Sequence, residues 1–292
     1  MIIVLGVKGQ VGNDLIELLT LKGLEVRGFT REEADLTQTD DLVAKLAILK
    51  PTAVINAAAY TAVDLAEKEP DKAFQINATA PGFLARFCAS KNIPFIHYST
   101  DYVFSGIGDR PWTETDPTGP LSVYGKSKLA GEEAILAAGG KSLILRTSWV
   151  YSAYGKNFLN TMLRLAAEKD ELKIVSDQVG VPTLSKHLAQ ATIDILLDKA
   201  PAMDHFPAGI FHVCNLGETT WYEFAREIFT LARSLGKELR VNQIIPIKTE
   251  EYPTPAKRPL NSRLSSLRLL DTFAIELPEW RVALKECMES RK

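Results

Sequence analysis

Apolar positions follow two periodicities along this chain, and their alternation lays out the elements. Met1 to Leu5 is a continuous apolar run, the pattern of a strand buried on both faces. After a glycine-rich turn, Leu15, Ile16, Leu18, Leu19 and Leu21 recur at helical spacing until Lys22-Gly23 stops them. Glu25 to Phe29 reads as a second strand, residues 40–49 as a helix closed by Lys50-Pro51, and Ala53 to Asn56 as a third strand. Glu69-Pro70 leads into a long helix carrying Asn77, Ala78 and Ala80, and Ile93 to Tyr98 is the next strand, ending at Ser99-Thr100. A helix starts at Tyr124 and a strand covers Leu143 to Leu145. This alternation predicts an α/β fold, a Rossmann-like doubly wound parallel sheet. Beyond Lys156 the pattern changes, with helices over residues 157–167, 185–197 and 220–235 and short strands at 173–175 and 209–213.

Composition narrows the class. The 292 residues are 46% hydrophobic with a net charge of −2, which suits a large apolar core and argues against nucleic acid as a partner. No apolar run approaches membrane-spanning length, and the N-terminus lacks the basic region of a signal peptide. Cys88, Cys214 and Cys287 are widely separated, which fits a reducing compartment, so a cytoplasmic protein is expected. His97, His187, His205 and His212 show no metal-ligand spacing and read as structural.

The candidate chemistry begins at Gly6, Gly9 and Gly12. Strand, glycine turn, helix and strand within about 30 residues form the dinucleotide-binding unit, in which backbone approaches a pyrophosphate at a helix N-terminus. The second strand ends in Thr30-Arg31, with no carboxylate until Glu32, which suits a 2′-phosphate and leans towards NADPH over NADH; a solvated loop charge reads equally well for Arg31. Asp35, followed by Leu36, lies beside the adenine or only bonds its own turn. Ala58, Ala59, Tyr60 and Thr61 sit in a small-residue stretch that allows close approach of a cofactor or of a neighbouring helix. Tyr124 and Lys128 share a helix face, an arrangement in which an ammonium can favour a phenolate, and Thr100 can add a hydroxyl to the same oxygen. Trp149 is either a core aromatic or a sugar contact.

These features resemble the extended short-chain dehydrogenase/reductases, which join an early glycine triplet to a Tyr-x-x-x-Lys pair and an upstream Ser/Thr. The likeness runs nearly the whole length and goes further, to the branch that reduces dTDP-linked 4-keto-6-deoxy sugars. It is carried by residues 9–12, 56–64, 97–104, 124–132, 146–151, 177–183 and 258–264. The resemblance implies that Tyr124 protonates the keto oxygen, that Lys128 lowers its pKa and holds the nicotinamide ribose, and that Thr100 bonds the sugar oxygen. It places the coenzyme, NADPH or NADH, against Gly6, Gly9, Gln10, Val11, Gly12, Thr30, Arg31, Asp35, Leu36, Ala58, Ala59, Tyr60, Thr61 and Tyr98. It places Thr100, Asp101 and Trp149 at the sugar, and makes Asn157, Gln178, Arg258 and Asn261 candidates for the nucleotide diphosphate. It also implies a dinucleotide-binding domain over residues 1–150 and a smaller substrate domain over 151–292, with segments interleaved. Some members bind Mg²⁺ at a dimer interface; Asp14 resembles one such ligand, and both monomer and homodimer stay open. A related nucleotide-sugar reductase or epimerase, and a non-catalytic regulatory subunit like that of methionine adenosyltransferase, share the scaffold; the intact Thr100, Tyr124 and Lys128 favour the enzyme.

Overall fold

The central sheet of the computed structural model holds six parallel strands; the structure describes residues 1–200, 203 and 205–291. Five come from the first half: β1 (Ile2–Leu5), β2 (Val26–Phe29), β3 (Ala53–Asn56), β4 (Phe95–Thr100) and β5 (Ser142–Thr147). They lie side by side in the order β2, β1, β3, β4, β5, and the later strand Gly209–His212 pairs with β5 at the edge. A parallel sheet needs apolar cover on both faces, and alternate strand residues supply it. Ile2, Val4, Ile55, Ile96 and Leu145 pack with Leu15 and Leu19 of α1 (Gln10–Leu21) and with Leu188. Ile3, Leu5, Val54, Phe95 and Ile144 pack on the other face with Leu42 and Leu46 of α2 (Thr39–Leu49), Leu84 and Ile135. The chain leaves β1 for β2 on one side and returns to β3 on the other. That reversal opens a crevice beyond the carboxyl ends of β1 and β3. A further core, with Leu159, Leu172, Phe224, Trp280 and Leu284, joins the later helices and strands.

The doubly wound sheet agrees with the hydrophobic pattern, but some boundaries move. β4 begins at Phe95 because Asn92 adopts a left-handed φ of 54° and the Ile93 N–H still bonds the Cys88 carbonyl. The strand ends at Thr100, whose hydroxyl caps the following turn by accepting from the Tyr102 N–H. The long helix from Pro70 is interrupted: Pro70–Phe74 and Ala80–Ser90 are joined by a π-helical turn, Gln75–Thr79. The widened turn sets the buried Asn77 amide against the Tyr60 N–H (2.8 Å), the Tyr60 carbonyl (3.0 Å) and Ser127 Oγ (3.0 Å). It thereby ties the loop after β3 to the helix Val123–Ala138. The strand Gln243–Ile247 and the helices Leu267–Phe273 and Trp280–Glu289 were not anticipated; Pro246 hides the strand's alternation. No helix among the described residues is long and apolar enough to cross a membrane.

Candidate active site

The switch-point crevice is a cavity of about 590 Å³. Gly6 forms one wall with a φ of 82°, and an added Cβ would come within 2.7 Å of the Ala58 nitrogen. Only glycine suits both that conformation and that approach. Gly9 precedes α1 as an N-cap without a side chain, so no side-chain group caps the first turn of the helix. The cradle fits a dinucleotide: backbone donors at a helix start, close to a wall that tolerates no side chain.

Of the residues expected at the coenzyme, Gly6, Gly9, Gln10, Val11, Arg31, Asp35, Leu36, Ala58, Ala59, Tyr60, Thr61, Tyr98, Tyr124 and Lys128 line the cavity. Gly12 and Thr30 do not. Gly12 lies inside α1 with its backbone pressed on the Gly6 carbonyl, so its small size serves helix–turn packing. Thr30 donates its N–H to the Glu33 carboxylate at 2.9 Å, holding the turn after β2. Asp35 caps Thr37, accepting from its N–H and hydroxyl at 2.9 Å each, and stays charged with its pKa lowered chiefly by the backbone bond. The lining also includes Lys8, Ala34, Ile76, Ser99, Thr147, Val150, Tyr154, Lys156 and Leu188, which local sequence gave no reason to choose. Tyr154 is brought in by its hydroxyl, 2.6 Å from Asp14 Oδ1 and 2.9 Å from the Gln10 carbonyl.

At the chemical end, Ser122 caps the helix Val123–Ala138 by accepting from the Gly125 N–H at 3.2 Å, which fixes Tyr124 in the first turn. Thr100 Oγ1 accepts from the Tyr102 N–H at 3.2 Å and donates to Asp101 Oδ1 at 3.0 Å. Burial pushes the Tyr124 hydroxyl up to about 12, while the Thr100 hydroxyl draws it down and Asp101 pushes it further up. Lys128 was expected to lower this pKa, yet burial outweighs every other influence on Tyr124. Lys128 Nζ instead bonds the Tyr98 carbonyl at 2.6 Å and meets His97 Nε2 at 3.0 Å. Burial brings the lysine itself down to about 8, with Glu132 pulling it back up.

The residues expected at the sugar nucleotide line no part of this cavity. Asp101 is buried beside Thr100, and desolvation raises its carboxyl to about 6 against the pull of Ser262 and Thr100. Trp149 has a φ of 47° and stacks on Trp221 with centroids 3.6 Å apart. Asn157 caps the helix Phe158–Glu168 and donates to Gln10 Oε1 at 2.7 Å. Gln178 donates to Thr249 Oγ1 at 3.1 Å and accepts from Trp221 Nε1 at 3.1 Å. Arg258 reaches Asp64 through two bonds, of 2.9 and 3.3 Å. Asn261 accepts from Arg263 Nε at 2.9 Å and donates to the Arg110 carbonyl at 2.8 Å. All four polar candidates are thus engaged by protein groups.

Asp14 does not suit an interface metal: it is buried, and its oxygens take the Tyr154 hydroxyl and, at 2.5 Å, Ser185 Oγ. Among the described residues no group of three or more His, Cys, Asp or Glu is arranged to hold a metal ion.

A parallel sheet open at its switch point, with a glycine cradle and a buried Tyr–Lys pair on one cavity, defines an extended short-chain dehydrogenase/reductase, an oxidoreductase. The chain belongs to the family described as the RmlD substrate binding domain, whose model matches residues 1–292. It is 45% identical to a dTDP-4-dehydrorhamnose reductase of Burkholderia thailandensis, over 98% of this chain and 97% of that one. Among solved structures it resembles a dTDP-4-dehydrorhamnose reductase of Clostridium acetobutylicum, with a TM-score of 0.91, 38% identity and coverage of 99% and 98%. The Bacillus anthracis enzyme of that name, solved in complex with NADP, gives a TM-score of 0.90 at 33% identity, with coverage of 99% and 98%.

Proposed function

We propose that this protein reduces the 4-keto group of dTDP-4-dehydro-L-rhamnose, giving dTDP-L-rhamnose, with NADPH or NADH as reductant. The observation that carries the reading is the convergence of Tyr124, Lys128 and the glycine cradle on one cavity, with the Thr100 hydroxyl beside Tyr124. The names of the similar enzymes supply the substrate class. When bound, the coenzyme supplies a hydride to the carbonyl carbon. Tyr124 gives its hydroxyl proton to the carbonyl oxygen, and Thr100, turning its own hydroxyl proton from Asp101, donates to the same oxygen. Lys128 holds ribose hydroxyls and offsets the charge left on Tyr124.

Arg31 and Lys8 are the cations among the lining residues nearest in sequence to the end of β1 and β2, and they suit a 2′-phosphate, while Asp35 suits a 2′-hydroxyl. Both coenzymes are therefore expected to serve. The later part of the chain, with Asn157, Gln178, Arg258 and Asn261, frames the nucleotide diphosphate, and Asp101 and Trp149 face the sugar. The test is loss of nicotinamide absorbance when dTDP-4-dehydro-L-rhamnose is added with either coenzyme, together with chromatographic identification of dTDP-L-rhamnose. Absence of turnover with both coenzymes would overturn the reading.

A further inference from the structure

His97 is 1% exposed, and its two ring nitrogens face Lys128 Nζ at 3.0 Å and Asn56 Nδ2 at 3.1 Å. Asn56 is buried as well, and its Oδ1 accepts from the Ala58 backbone nitrogen at 3.2 Å. One end of this chain has a fixed direction, because a backbone N–H can only donate. Ala58 therefore requires the amide oxygen of Asn56, which turns the amide nitrogen towards His97. That nitrogen donates, so His97 Nδ1 accepts and the single ring proton of the neutral imidazole lies on Nε2. The Nε2–H points at Lys128 Nζ. An ammonium has no lone pair to receive it, whereas an amine has one.

We propose that Asn56 and His97 are positioning residues whose one-way hydrogen-bond chain holds Lys128 as the neutral amine, and that Lys128 takes up its proton as a dinucleotide binds. The inference rests on reading the cavity as a coenzyme site. In the neutral form every valence of Nζ has a use: the lone pair receives His97, one N–H bonds the Tyr98 carbonyl, and the other remains for the cavity that Lys128 lines. Burial works in the same direction, bringing the lysine down to about 8 and keeping His97 well below its ordinary value.

The charged and titratable groups around Lys128 come from three elements. Its own helix contributes Tyr124 and Glu132. β4 contributes His97 and Tyr98, whose hydroxyl is 2.7 Å from Thr192 Oγ1. β5 contributes Arg146, which binds Glu132 through bonds of 2.5 and 2.9 Å, and Ser99 of β4 donates its Oγ–H to the same carboxylate at 2.5 Å. Glu132 is thus largely neutralised by Arg146, leaving the lysine responsive to charge arriving in the cavity. A dinucleotide brings two phosphate charges and ribose oxygens that accept hydrogen bonds, and both favour the ammonium. The ammonium is the form that can support an ionising Tyr124, so coenzyme binding readies the acid.

Two measurements test this. Nitrogen-15 spectra of the ring nitrogens in coenzyme-free protein at about pH 8.5, where the lysine is mostly the amine, read the tautomer, with His97→Gln identifying the signal among the four histidines. Nε2–H is expected, and Nδ1–H would overturn the proposal. Titration calorimetry with NADH near about pH 8.5, in buffers of different ionisation heat, counts the protons taken up. NADH is chosen because it lacks a titrating 2′-phosphate. Wild type is expected to take up about half a proton or more, and Lys128→Met close to none. In His97→Gln the amide can turn its oxygen to an ammonium, moving the uptake to higher pH by about one unit. Asn56→Asp, which accepts from both neighbours, forces His97 to Nδ1–H and abolishes uptake at this pH. No uptake in wild type, equal uptake in Lys128→Met, or an unmoved curve in His97→Gln would sink the idea. If neither coenzyme binds, the coenzyme reading and the uptake fall together, while the tautomer is still decided on the protein alone.

Discussion

On the coenzyme side the cavity wall is largely backbone and small side chains: Gly6, Gly9, Ala58 and Ala59 present surface without projecting groups. On the proposed sugar-nucleotide side, Asn157, Gln178, Arg258 and Asn261 are polar residues already bonded to Gln10, Thr249, Asp64 and the Arg110 carbonyl. The first wall is rigid because strands and a helix start hold it. The second is held by cross-links between segments far apart in sequence, so its residues shape a surface by bonding protein as much as by facing a ligand. A change on the first side is expected to act on binding or chemistry directly, and one on the second to act through loop position.

The largest effect expected from that contrast is at Tyr124, where the two sides meet. Tyr124→Phe is predicted to lower turnover by about 10²–10⁴-fold while coenzyme affinity stays within about twofold. Steady-state rates and fluorescence titration of the coenzyme separate the two; near-wild-type turnover would remove Tyr124 as the acid. Asp101 comes next. Burial holds its carboxyl at about 6 in the folded protein, against 3.8 for the ordinary group. Between those values the folded state binds more protons than the unfolded chain, so this group's contribution to stability falls as pH rises. The fall is on the order of 3 kcal/mol. Asp101→Asn removes the slope, so the variant's melting temperature relative to wild type should climb from about pH 4 to about pH 6. A constant difference would mean that Asp101 is not sealed from water.

The coenzyme side was legible because its signals are local. A glycine that must approach another backbone, or a Tyr and a Lys one turn apart, shows in residue type and spacing. Even there the spacing overreached at Gly12, where a helix packing on the Gly6 carbonyl demands the same small residue as a ligand would. Tyr154 was missed because it joins the cavity through long-range bonds to Asp14 and to the Gln10 carbonyl. His97 read as a structural histidine, and no spacing could reveal that β4 and β3 register it between Asn56 and Lys128. Resemblance made Arg258 one candidate for the diphosphate; its pairing with Asp64, far off in sequence, appears only in the fold.

Two smaller perturbations sharpen the contrast from each side. Gly12→Ala sets a methyl group on the Gly6 carbonyl and should cost about 1–3 kcal/mol of stability. It should weaken coenzyme binding too, because Gly6 moves; a normal melt with normal affinity would show that the turn has slack. On the other side, Arg258 and Asp64 form a half-buried pair, and Asp64 also accepts from the Ala256 N–H at 3.2 Å. If Arg258 acts by pinning its loop, Arg258→Ala and Asp64→Ala should each raise the KM for the sugar nucleotide by about tenfold, with coenzyme affinity unchanged. The double variant should then be no worse than either single one, since both break the same link. If Arg258 also holds the diphosphate, Arg258→Ala should exceed Asp64→Ala by a further tenfold or so, the difference that a charge-assisted bidentate contact supplies. If instead the pair only keeps Arg258 in reserve for the diphosphate, Asp64→Ala frees the guanidinium and lowers the KM. The sign of the Asp64→Ala effect therefore separates a loop latch from a ligand held in reserve by its own ion pair.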